Sequence, residues 1–166
     1  YREAMTVSVL TAISPVDGRY SSRVHALRPV VSEFGLMRAR IEVELAWIKS
    51  LAGNPLIDEV APLSQQAIAE IGVIASEFSE KDAERVKEIE RKTNHDVKAI
   101  EYFIKEKFAI NPELHAIAEF VHFACTSEDI NNLSYSLMLN RMRDDVLVPK
   151  MREIIDLLRS KAHEWA

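Results

Sequence analysis

Glycine and proline are scarce in this chain of 166 residues, with four of the first and six of the second. A β-rich protein with many tight turns needs more of both, so a sandwich or barrel is disfavoured. The single cysteine precludes an internal disulfide and points to a reducing compartment. No apolar run approaches the roughly 20 residues of a membrane span, and no secretory leader is visible, so a cytoplasmic protein is expected. Positive charge is not in excess either: 21 Lys and Arg stand against 26 Asp and Glu, a formal net charge of −5. Neither nucleic acid nor an anionic membrane finds an electrostatic footprint here. An anionic ligand must be held by local groups. The apolar fraction of 48% and charged fraction of 28% are those of a folded chain, enough for one domain with a core or for one and a half.

What is there is helical periodicity. Tyr1 to Ala4 precede Met5, a candidate natural start, and Ser14-Pro15-Val16-Asp17-Gly18-Arg19-Tyr20 has the composition of a turn, with Asp-Gly offering a positive-φ position. From a cap at Ser32, Phe34, Met37, Ile41, Leu45 and Ile48 recur at helical spacing until Gly53 and Pro55. Leu36, Val43 and Trp47 mark a second stripe, so this helix is expected to pack on two sides. Ser64 opens another helix through Phe78. Ser79 caps a highly charged one through Lys92, with Glu84/Lys87 and Glu88/Lys92 as helix-neighbour ion pairs on a solvated face. Val97 to Phe108 form a further helix, and a short one carrying Leu114, Ile117 and Val121 leads to Thr126. Beyond Thr126 two stripes run on, Pro149 kinks or restarts the helix, and one face continues to Trp165. The pattern stops at Ala166 in full stride, which suggests part of a longer protein. No strand-like alternation competes, so the fold is all-α, and the doubled stripe of the last helices points to a bundle or an oligomer core.

Two polar clusters share one design, Thr93-x-x-Asp96 and Thr126-x-x-Asp129, each with the form of a capping box at the start of an amphipathic helix. A helix start also presents free N–H groups and a positive dipole end, a seat for phosphate or carboxylate. If Thr93 is the cap, His95 lies in the first turn, where the dipole favours the neutral imidazole, a group able to exchange a proton near neutrality. Asp96 could orient a ring nitrogen or a ligand amine. Arg19 offers a planar fork for an anion, and Tyr20 adds a hydroxyl and an aromatic face. A rival reading has His115, Glu119 and His122, at i, i+4, i+7, sharing a helical face as metal ligands, but three ligands on one short helix need a fourth from elsewhere, and His122 among apolar neighbours reads better as a satisfied packing residue. Cys125 lacks an activating base in its motif and reads as a small packing residue.

Taken together, Ser14–Tyr20, Thr93-Asn94-His95-Asp96-Val97-Lys98-Ala99 and Thr126-Ser127-Glu128-Asp129-Ile130-Asn131-Asn132 closely resemble the bacterial adenylosuccinate lyases of the aspartase/fumarase superfamily. The likeness runs from about Met5 to the end of the chain. It implies an N-terminal helical domain over residues 1–111 and the first long helices of a central helical-bundle domain over residues 112–166. It also implies a homotetramer with each active site built from three subunits, no metal or organic cofactor, and elimination of fumarate from adenylosuccinate and from the succinylo-carboxamide ribotide of purine synthesis. By the same likeness Arg19, Tyr20, Asn94, His95 and Asp96 contact a small-molecule nucleotide substrate, while Thr126 and Ser127 hold a carboxylate of its succinyl group. His95 then has an auxiliary catalytic part, because the family's general acid, a histidine in a Thr-His-x-Gln-type stretch, and its general base, a serine on a mobile loop, both lie beyond residue 166. The chain alone is therefore expected to be inactive. The rivals are another lyase of the superfamily, such as argininosuccinate lyase or fumarase, and a stand-alone helical interaction module.

Overall fold

The computed structural model describes residues 8–166, and the candidate start at Met5 lies outside them. The described residues form helices joined by short turns, without a strand, so the all-α expectation holds. After two single 3-10 turns come α1 (Arg28–Val31), α2 (Glu33–Ala52), α3 (Gln65–Ser76), α4 (Glu80–Thr93), α5 (Asp96–Phe108), α6 (Pro112–Ala116), α7 (Ser127–Arg141) and α8 (Val148–Trp165). No described helix is long and apolar enough to cross a membrane.

Helix starts follow local side-chain chemistry. Ser32, Ser64 and Ser79 each cap the helix behind them by accepting a backbone N–H three residues on. Thr126 does the same for Asp129, and Asp129 returns the favour to the Thr126 N–H at 2.7 Å, completing the expected box. The start of α2 also depends on a glycine, since a Cβ on Gly35 would lie 2.3 Å from the Val30 carbonyl oxygen of α1.

Helix α2 is the spine. Met37, Ile41, Leu45 and Ile48 enter the main core with Ile71 of α3, Val86 of α4, and Ile100, Phe103 and Ile104 of α5. Val43, from the second stripe, meets Val97 of α5 and Ile130 of α7 in a smaller cluster. Packing on two sides, expected from the doubled stripe, is what α2 does.

Four expectations need correction. The Ser14–Tyr20 turn is present, with Gly18 N–H donating to Ser14 O and Tyr20 N–H to Pro15 O, but no described glycine has positive φ. Gly18 is there because a Cβ would stand 3.0 Å from the Val9 carbonyl oxygen. Neither ion pair expected along α4 forms: Lys87 reaches Glu33 of α2 and Glu90, and Arg85 reaches Glu106 of α5 and Glu88. The charged face of α4 thus ties it to its neighbours as well as facing water. The helix of Leu114 stops at Ala116, and residues 118–120 form a separate 3-10 turn, so Ile117 and Val121 lie outside it. Finally, the break expected at Pro149 is absorbed one turn earlier. Residues Met142–Leu147 widen into a π-helix, with Val148 N–H donating to Arg143 O, and α8 resumes with Pro149 inside its first turn. Proline brings no N–H and its ring crowds the carbonyl four residues back, and a widened turn relieves both. Beyond it, Met151, Ile154, Ile155 and Leu158 of α8 are more than half exposed.

Candidate functional site

The connection from α4 to α5 places the first cluster. Helix α4 runs on through Thr93, whose hydroxyl donates back to the Ile89 carbonyl at 3.2 Å, so Thr93 is not the cap of α5. Asn94 takes the left-handed conformation, φ 52°, that ends α4, a conformation asparagine tolerates better than most residues. His95 follows in extended geometry and is itself the cap: its Nδ1 accepts the Lys98 N–H at 3.1 Å. An accepting Nδ1 carries no proton, so the ring hydrogen of the neutral imidazole sits on Nε2. Histidine here is therefore oriented by the helix it starts, and Nε2 is left for another partner.

Asp96 opens α5 and points at α2. Its Oδ2 accepts from Arg40 Nη2 at 2.7 Å. Burial alone would raise the Asp96 carboxyl, but the Arg40 guanidinium outweighs it and holds the group below the usual carboxylate range. Arg40, Asn94, His95 and Asp96, with Met37 and Glu90, line a recess of about 370 Å³ between α2 and the α4–α5 corner.

The second cluster is the start of α7. Thr126 is exposed and Ser127 half-buried, on a helix end whose first turn carries Glu128 and Asp129. Asn131, one turn on, accepts from Arg40 Nε through Oδ1 at 2.9 Å. Arg40 thus touches both clusters. The third cluster stands apart: Arg19 Nη2 donates to Tyr20 Oη at 2.8 Å and the guanidinium lies over the same ring. Among the described residues neither side chain hydrogen-bonds to the other two clusters.

The turn leading into Thr126 is held from α2 as well. Glu44 Oε2 accepts the His122 N–H, and Oε1 lies 2.6 Å from His122 Nδ1. Trp47 Nε1 donates to the Phe123 carbonyl. His122 is accordingly a satisfied packing residue, as its sequence context suggests. The three residues of the metal-site alternative do not share a helical face: His115 lies in α6, Glu119 in the separate 3-10 turn and paired with Lys105, and His122 beyond that turn and paired with Glu44. Burial pushes the Cys125 thiol up, and the Glu44 and Asp129 carboxylates push it further, the reverse of what a nucleophile needs.

Arg40 and Glu44 are the residues that sequence reasoning overlooked. A signal existed, because two charges on a helix apolar on both sides must be paired when buried. Their partners, 56 to 91 residues away, carried no mark in the sequence.

An adenylosuccinate lyase of Vibrio cholerae is 56% identical over 161 residues, covering 97% of this chain and 35% of the relative. Its counterpart in Escherichia coli K12 is 54% identical over the same span, and one from Legionella pneumophila is 48% identical over 151 residues. The chain spans about a third of the length of these curated relatives. The profile of the lyase family matches residues 18–166, nearly the whole chain, and the protein belongs to that family.

Proposed function

We propose that this chain supplies part of an adenylosuccinate lyase, which eliminates fumarate from adenylosuccinate to leave AMP and does the same to the succinylo-carboxamide ribotide of purine synthesis. The observation that carries the reading is the shared guanidinium of Arg40. It puts the His95 turn and the Thr126 helix, two of the three clusters that resemble the family, on one flank of α2.

The chemistry suits the parts. Removing a proton from the carbon beside a carboxylate loads negative charge onto that carboxylate's oxygens. Donors fixed at a helix start stabilise such charge without reorganising, and the hydroxyl and N–H of Ser127 are assigned that part, while Thr126, whose own N–H and hydroxyl are held by Asp129, orders the helix end beside it. The Arg19 fork, the Tyr20 hydroxyl and the polar groups of Asn94, His95 and Asp96 are assigned to the rest of the substrate. His95, with Nδ1 occupied by its own helix, serves as an oriented auxiliary donor or acceptor through Nε2.

The proton donor to the departing nitrogen and the base that starts the elimination are assigned to residues outside these 166. In the complete protein, a cytoplasmic homotetramer would bring three such chains to each site, and the exposed apolar face of α8 suits burial between subunits. On this view residues 1–111 form one helical domain and residues 112–166 begin the central bundle. No metal or organic cofactor takes part. The test is steady-state release of fumarate from adenylosuccinate. The complete polypeptide should turn over and the 166-residue chain should not. Turnover by the short chain, or none by the complete polypeptide, would refute the assignment.

A further inference from the structure

Three helices meet at one small junction with a polar and an apolar layer. Val43, Val97 and Ile130 are its apolar layer, one residue each from α2, α5 and α7. Arg40, one helical turn before Val43, with Asp96 and Asn131, which adjoin Val97 and Ile130 in sequence, are its polar layer. The Arg40 side chain is 7% exposed, while the Asp96 side chain it pairs with is 54% exposed. The charge is thus buried at the α2 end and delivered to the surface at the α5 end. A buried guanidinium is costly unless its donors are paired, and its planar fork fixes two acceptors relative to one another as a flexible ammonium cannot. Asp96 adjoins His95, the cap of α5, and Asn131 lies one turn beyond Ser127.

We propose that Arg40 is a positioning residue of the site: its fork sets the distance and direction between the His95 turn and the Thr126 helix start, so that one ligand can engage both. The inference rests on the reading of these two segments as parts of a single site for a nucleotide bearing a dicarboxylate arm. Arg40 reaches the ligand through Asp96 and Asn131. Misplacing two halves of a site by about 1 Å weakens a ligand that spans them by up to about a hundredfold, while a ligand that fills one half is little affected.

Kinetics of the complete polypeptide separate these cases. The inhibition constants of AMP and of succinate report each half alone, and kcat/KM for adenylosuccinate reports both together. In Arg40→Lys, which keeps the charge and loses the fork, AMP and succinate should each weaken by less than about threefold while kcat/KM falls by about tenfold or more. Asn131→Ala, which cuts one arm at a half-buried side chain, should reproduce that split even if Arg40→Lys fails to fold. Arg38→Met, on the same helix but paired to Glu42, should leave all three constants within about twofold of the parent. Equal weakening of all three ligands in Arg40→Lys or Asn131→Ala, or no change in kcat/KM, would overturn the positioning role and leave the site reading standing. A parent protein that binds neither AMP nor succinate and does not process adenylosuccinate would overturn both.

Discussion

Glu44 grips His122 twice, accepting the backbone N–H at 3.1 Å and meeting ring Nδ1 at 2.6 Å, with a side chain that is fully buried. Burial pushes its carboxyl up, and the contacts to His122 pull the other way without cancelling the effect. The turn so held is strained: His122 and Ala124 both have positive φ, 64° and 59°, at a cost of about 1–2 kcal/mol each for residues with a Cβ. The anion seat proposed at Thr126 therefore rests on a turn that its own backbone would not choose.

Glu44→Ala removes the acceptor of a buried N–H and releases that turn. It should lower unfolding free energy by about 3 kcal/mol. Glu44→Gln keeps an acceptor and should cost less than half of that. Urea titration followed by circular dichroism measures both, and a loss under about 1 kcal/mol for the alanine variant would contradict the bracing role.

Asp96 should leave a mark on acid stability. Its folded-state pKa lies below the ordinary value of 3.8, so its stabilising effect is complete above that value and is lost as pH falls through the lowered one. Asp96→Asn should be less stable than the parent at about pH 5, and the gap should narrow as the pH falls below 3.8 and close once Asp96 is protonated in the folded state too. A gap that stays constant across that range would mean that the Arg40 pairing contributes nothing.

Gly35 has no room for a methyl group, with the Val30 carbonyl oxygen 2.3 Å from where a Cβ would stand. Gly35→Ala should destabilise by about 1–3 kcal/mol, the range for an overpacked contact, despite the better helix propensity of alanine. An unchanged or higher melting temperature would show that α1 can move aside at no cost.

Thr126 carries two roles that substitution can divide. Thr126→Ala should lose the cap, costing about 1 kcal/mol and speeding amide exchange at the start of α7, while Thr126→Ser should keep it. If both variants retain full protection at Asp129, the reciprocal box is not what holds this helix end.

Much of the fold was legible because its signals are short-range. Ser32, Ser64, Ser79 and Thr126 announce their helices through an acceptor three residues from its donor, and the apolar stripes of α2 assign its two packed faces. His95 was assigned to the wrong position for the same reason. Thr93 has the right spacing to cap, but left-handed Asn94 lets α4 continue through Thr93 and passes the cap to the histidine. The candidate site was legible as three motifs and not as one place. What joins two of them is Arg40, and pairings such as Arg40–Asp96, Arg40–Asn131 and Glu44–His122 depend on how helices distant in sequence come together. Lys87 makes the same point, taking Glu33 of α2 together with Glu90 and leaving the expected Glu84 aside.

The most direct test of the account is a crystal structure of the complete polypeptide with AMP and fumarate bound. It should show a fumarate carboxylate within hydrogen-bond reach of Thr126 or Ser127 and the nucleotide against Arg19 and His95, contributed by neighbouring subunits where needed. Both ligands bound elsewhere, with Arg19, His95 and Ser127 facing unrelated surfaces of the assembly, would contradict it.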